Sequence, residues 1–76
     1  MISEHHILNI FGENVRKFRR KLNISQEELA KQISVSRQTI NAMEKGKYVP
    51  STVLALKLAK YFDKPVEKIF ALEDED

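Results

Sequence analysis

Two short stretches of this chain, ISQEELAKQI (24–33) and SRQTINAMEKG (36–46), each carry a serine helix cap and an apolar stripe, and only Ser34 and Val35 separate them. Ser25 is followed three residues later by Glu28, a capping-box pattern, with Ile24 placed as a hydrophobic staple. Leu29, Ala30 and Ile33 give the first stretch its buried side. Ser36 caps the second, Arg37, Gln38 and Thr39 form its first turn, and Gly46 supplies the left-handed residue past its end.

On a wheel of about 100° per residue with Ile40 at the reference direction, Met43 lies roughly 60° to one side and Glu44 about 40° to the other. Gln38, Asn41, Ala42 and Lys45 then point away from this underside. Two helices joined this tightly make a helix-turn-helix, with small Ala30 allowing close approach and Val35 plugging the corner. Arg, Gln and Asn are the side chains that pair bidentately with base edges in a major groove. A polar helix face is more often plain solvated surface, so the stretch by itself does not decide between surface and reader.

The 76 residues contain no Cys, which fits one domain with one small core and removes zinc fingers, disulfides and thiol chemistry. Residues 1–62 carry 11 Lys/Arg against 5 Asp/Glu, a net +6, while residues 63–76 carry 2 against 6, a net −4. A basic body with an acidic end suits a polyanionic partner, although charge alone decides little. The N-terminus lacks the pattern of a secretory signal, and no apolar run is long enough to cross a bilayer. The expectation is a cytoplasmic protein with no membrane, cofactor, metal or small-molecule partner.

Residues 1–11 are expected to be an N-terminal extension whose first few residues are disordered and whose remainder, on account of Ile7, Leu8, Ile10 and Phe11, lies on the body or in a dimer contact. Adjacent His5 and His6 diverge on a helix and do not make a metal site. From Gly12 to Leu22 an amphipathic helix carries Val15, Phe18 and Leu22 inward and Arg16, Lys17 and Arg20 outward; Arg19 sits at the margin of its stripe, and Asn23 stops it. After Pro50, Ser51 caps a helix over Thr52 to Phe62 with Leu54, Ala55, Leu58 and Phe62 on one side and Val53 and Leu56 on another. A short last helix follows with Val66, Ile69 and Phe70, and Ala71 and Leu72 could add a brief strand before the acidic tail, 71–76.

The stretch SQEELAKQISVSRQTINAMEKGKYVPS resembles the phage-repressor and Cro type of helix-turn-helix, the XRE family, and looks most like its small stand-alone bacterial regulators. The resemblance covers about residues 12–70. It implies an all-α fold, a compact bundle of four to five helices of the lambda-repressor-like DNA-binding type, whose third helix enters the major groove of a palindromic operator read by a homodimer. Carried over by position, Gln26 matches a phosphate-contacting residue that also braces the recognition helix. Arg37 and Gln38 match base-reaching positions, Asn41 and Ala42 match the next turn, and Arg19 and Glu44 match an internal ion pair. Ser34 and Asn23 stand where the family commonly has Gly, at a cost on the order of 1 kcal/mol for a left-handed residue, least for Asn.

Double-stranded DNA is thus the expected partner. Base contacts are expected from Arg37, Gln38, Asn41, Thr39 and Ala42, and phosphate contacts from Gln26, Ser25, Ser36, Arg16, Arg20, Lys45, Lys47 and Tyr48. Candidates for the dimer surface are Val53, Leu56, Ile69, Phe70 and Leu72, with residues 7–11 beside them. Repression by occupying a promoter is the simplest activity for a reader with no effector domain. An antitoxin that also binds a toxin protein, or an interaction module that no longer reads DNA, are the alternatives. Enzymatic work finds no phosphate loop and no nucleophile-base set.

Overall fold

The computed structural model describes residues 3–70, which form α1 (Glu4–Lys21), α2 (Gln26–Ile33), α3 (Arg37–Glu44), α4 (Thr52–Phe62) and α5 (Val66–Phe70), with no strand among them. The suggested strand through Ala71 and Leu72, and the acidic tail, lie outside the described residues.

Each of the first four helices begins at a serine. Ser3, Ser25, Ser36 and Ser51 sit in extended backbone and accept a hydrogen bond from the backbone N–H three residues on. The ends follow one pattern as well. Asn23, Ser34, Gly46 and Asp63 all have φ between 57° and 72°. In each case the following N–H reaches back to a carbonyl of the last turn, as Ile24 does to Arg19, Val35 to Ala30, Lys47 to Ala42 and Lys64 to Ala59. Only one of the four is glycine, so three helices end on a residue that tolerates the left-handed region at some cost.

The first helix departs from expectation. It starts at Glu4, not Gly12, and residues 4–11 are its first two turns, not an extension. Gly12 stands within this helix, where glycine more often marks a boundary. Here it serves a contact between backbones: a Cβ on Gly12 would collide with the Met43 carbonyl oxygen and press on the Glu44 backbone. Phe11, one residue earlier, is fully buried and stacks on Phe70 with ring centroids 4.7 Å apart. Leu22, expected inward, lies at the C-cap and is exposed.

The core joins Phe11, Val15 and Phe18 of α1 to Leu29, Ala30 and Ile33 of α2, Ile40 and Met43 of α3, Leu54, Leu58 and Phe62 of α4, and Ile69 of α5. Val35 packs against it at the corner between α2 and α3, as its position predicts. α1 packs on α3 and α5, α2 on α3 and α4, and α4 on α5. The side-chain amide of Asn14 helps tie α1 to α5 by donating to the carbonyls of Lys68 and Ile69. α3 is thus held from beneath by α1 and from the side by α2, leaving its outer face free.

Candidate nucleic-acid interface

Beneath α3 lies one buried carboxylate. Glu44 is 5% exposed. Arg19 Nε donates to its Oε2 at 2.6 Å and Nη2 to its Oε1 at 3.1 Å. The remaining arm of that guanidinium, Nη1, donates to the Ile24 carbonyl at 2.8 Å, so Arg19 clamps α3 and the end of its own helix together. Gln26 Nε2 also donates to Glu44 Oε1, at 3.1 Å, and Arg16 Nε stands 3.6 Å from the same oxygen. Burial pushes the Glu44 carboxyl up, but hydrogen bonds from Arg19 and Gln26 and the charges of Arg19 and Arg16 outweigh it and hold the group below the ordinary carboxylate range. The hydrogen bond to Glu44 likewise raises Arg19 against its own burial.

Gln26, first residue of α2, has a second contact: its Oε1 accepts from Asn41 Nδ2 at 3.4 Å. A line of polar groups therefore runs from Arg19 through Glu44 and Gln26 to the outward turn of α3. Sequence reading paired Arg19 with Glu44 and placed Gln26 as a brace. It missed that Arg16, assigned to phosphate, also leans on Glu44. The spacing Arg16 to Arg19, three residues on one helix, was the available signal.

On the outer side, Arg37, Gln38, Asn41, Ala42, Lys45 and Lys47 line a single shallow, open recess. Arg37 and Gln38 are exposed, whereas Asn41 and Ala42 are half-buried. Other expected residues lie apart from it. Ser25 and Ser36 accept cap hydrogen bonds through their hydroxyls, and Ser36 Oγ is also 2.9 Å from Thr39 Oγ1. Arg20 lies with Arg16, Lys17 and Lys21 along α1. Tyr48 packs against the core.

Of the dimer candidates, Val53 and Leu56 are 63% and 55% exposed, and Val49, not anticipated, is 62% exposed. Ile69 is fully buried within its own chain and is withdrawn from any surface role, because i, i+3, i+4 spacing marks an apolar side without saying what covers it. Phe70 is half-buried against Phe11, and Leu72 lies outside the described residues. No helix among the described residues is long and apolar enough to cross a membrane.

Two short capped helices at a tight corner, the second presenting a polar face rimmed by cations, define a helix-turn-helix protein. The helix-turn-helix family model matches residues 15–69, and the chain belongs to that family. It is 54% identical over 65 residues to an uncharacterized HTH-type transcriptional regulator of Methanocaldococcus jannaschii, covering 84% of this chain and 98% of the relative. A similar regulator of Bacillus subtilis, YgzD, is 47% identical over 62 residues, covering 82% and 94%. Among solved structures, the restriction-modification controller protein C.AhdI of Aeromonas hydrophila superposes with a TM-score of 0.80 at 29% identity, over 90% of this chain and 99% of that one. The family comprises DNA-binding transcription regulators, not enzymes. Its relatives here are archaeal as well as bacterial, which widens the bacterial expectation.

Proposed function

We propose that this chain is a sequence-specific transcriptional repressor of the cytoplasm that binds a palindromic operator as a homodimer, with α3 in the major groove. The observation that carries the reading is the open recess of Arg37, Gln38, Asn41, Ala42, Lys45 and Lys47 on a helix anchored from below by Arg19 and Glu44. Arg37 is suited to guanine O6 and N7, Gln38 and Asn41 to adenine, and Ala42 to a thymine methyl. Lys45, Lys47, Arg16 and Arg20 supply charge to phosphates, and the capped N-termini of α2 and α3 turn free N–H groups toward the same anions.

A single eight-residue reading helix makes few base contacts, so pairing across a two-fold axis supplies the discrimination an operator needs. Val49, Val53 and Leu56, each apolar and exposed and all within eight residues of the chain, are the surface for that pairing. Selection of bound duplexes from a random pool tests the proposal. A palindrome with half-sites about 34 Å apart is expected, bound with an affinity that falls steeply as salt rises. No enrichment at low salt, or enrichment of a single unpaired half-site, would overturn it.

A further inference from the structure

The structure assigns a fixed polarity to the Asn41 side chain: Gln26, itself oriented by Glu44, holds the Asn41 Nδ2 inward, so that Oδ1 faces the groove and selects a base bearing an exocyclic amino group. The inference rests on the reading that α3 lies in a major groove and concerns what Asn41 recognises there.

An amide usually can turn over, exchanging its oxygen and nitrogen at small cost when its neighbours both donate and accept. Glu44 removes that freedom. Its carboxylate is buried and ionised, already receives Arg19, and can only accept. The group of Gln26 that meets it at 3.1 Å must therefore be the Nε2 donor. That choice leaves Gln26 Oε1, an acceptor, on the side of Asn41. The group of Asn41 that meets Oε1 at 3.4 Å must in turn be its Nδ2 donor. Each step follows from the one before, and the starting point is a charge.

The consequence lies at the DNA. Adenine N6 and cytosine N4 are the major-groove donors, while guanine O6 and N7 and thymine O4 are acceptors. An Asn with free rotation can answer either kind. An Asn with Oδ1 turned outward answers an amino group, whereas a base offering only acceptors there meets that oxygen, whose place Nδ2 cannot take while one of its two protons is held by Gln26. Gln26 thereby acts as a positioning residue for specificity as well as a contact to phosphate.

The test uses the full chain and synthetic duplexes built on the sequence selected from a random pool. The base pair faced by Asn41 is the one whose preference relaxes in Asn41→Ala. At that pair, adenine is replaced by purine, or cytosine by its analogue lacking the N4 amino group, which deletes the groove donor together with one Watson–Crick hydrogen bond, the second loss being common to every protein variant compared. Wild-type protein should lose affinity on the order of tenfold, the worth of one good base contact, and Asn41→Ala should be indifferent. In Gln26→Ala the amide is free to turn, so the ratio of affinities for the natural and the amino-deleted duplex should fall toward one, while a lost phosphate contact lowers both affinities alike and leaves the ratio untouched. Thermal melting of Gln26→Ala confirms a folded protein in the same samples. Wild-type indifference to the amino group, or a Gln26→Ala ratio equal to the wild-type ratio, overturns the proposal while leaving groove binding intact. If Asn41→Ala relaxes no position at all, the base-contact reading of Asn41 has failed and the proposal falls with it.

Discussion

Glu44 shows how much can depend on one side chain. It joins α3 to α1 through Arg19, to α2 through Gln26, and stands 3.6 Å from Arg16. Removing it leaves the Arg19 guanidinium, 13% exposed, without its carboxylate. Glu44→Ala should therefore cost about 3–5 kcal/mol at neutral pH, the usual penalty for breaking a buried pair, read as a lowered denaturation midpoint. Its pH dependence follows from the sign of the shift. The carboxyl is held below its ordinary value in the fold, so the unfolded chain binds the proton more readily. The stabilisation is whole above the unfolded value, ~4.3, and is lost as pH falls from there through the folded value. The gap in stability between wild type and Glu44→Ala should accordingly narrow below pH ~4; a constant gap would show that the charge is not what stabilises. For Arg37, exposed at the head of α3, the expected effect is on binding alone. Arg37→Ala should lose about 1–3 kcal/mol on the selected site and relax preference at one base pair, measured against single-mismatch duplexes.

The helices themselves divide by how local their causes are. Starts at Ser25, Ser36 and Ser51 were legible because a cap acts within three residues. The start of α1 was not, although Ser3 caps it by the same bond to the His6 N–H. Gly12 concealed the continuity, and its reason lies in α3, thirty-one and thirty-two residues on at Met43 and Glu44. This sets two considerations against each other in Gly12→Ala. Helix propensity favours alanine by about 1 kcal/mol. The methyl would meet backbone atoms, which cannot turn aside as a side chain can, and overpacking of that kind costs typically about 1–3 kcal/mol. The mutant should be less stable than wild type in chemical denaturation, against the propensity scale. A more stable Gly12→Ala would mean that α1 and α3 part easily. The same contrast explains Ile69, whose spacing marked it apolar but could not tell a core from an interface.

For the whole molecule, the exposed Val53 and Leu56 are the place where stability and assembly can be separated. Both face away from the core side of α4 formed by Leu54, Ala55, Leu58 and Phe62. Val53→Glu with Leu56→Glu should therefore leave the melting temperature at high dilution nearly unchanged, shift light scattering to the monomer, and weaken operator binding while sparing a single half-site. A dimer that persists would place the two-fold axis elsewhere. The net +6 of residues 1–62 suits the polyanionic backbone of DNA.

The tight corner from Ser25 to Gly46, the periodicity of α2 to α4, the polar outer face of α3 and the basic body were determined by the sequence itself. These features arise from interactions within a turn or two, or from charge summed without regard to position. The pairing of Arg19 with Glu44 was implied by the family resemblance and agreed with their places at the margins of apolar stripes. Only the tertiary structure decided that the first turns belong to α1, that Gly12 admits the backbone of α3, that Arg16 leans on Glu44, and that Gln26 stands between Glu44 and Asn41. Those four facts join residues fifteen or more apart in the chain, or depend on what lies across an interface between helices. Hydrogen-bond polarity passes from one side chain to the next only when the groups are within about 3.5 Å, and no local pattern encodes that distance.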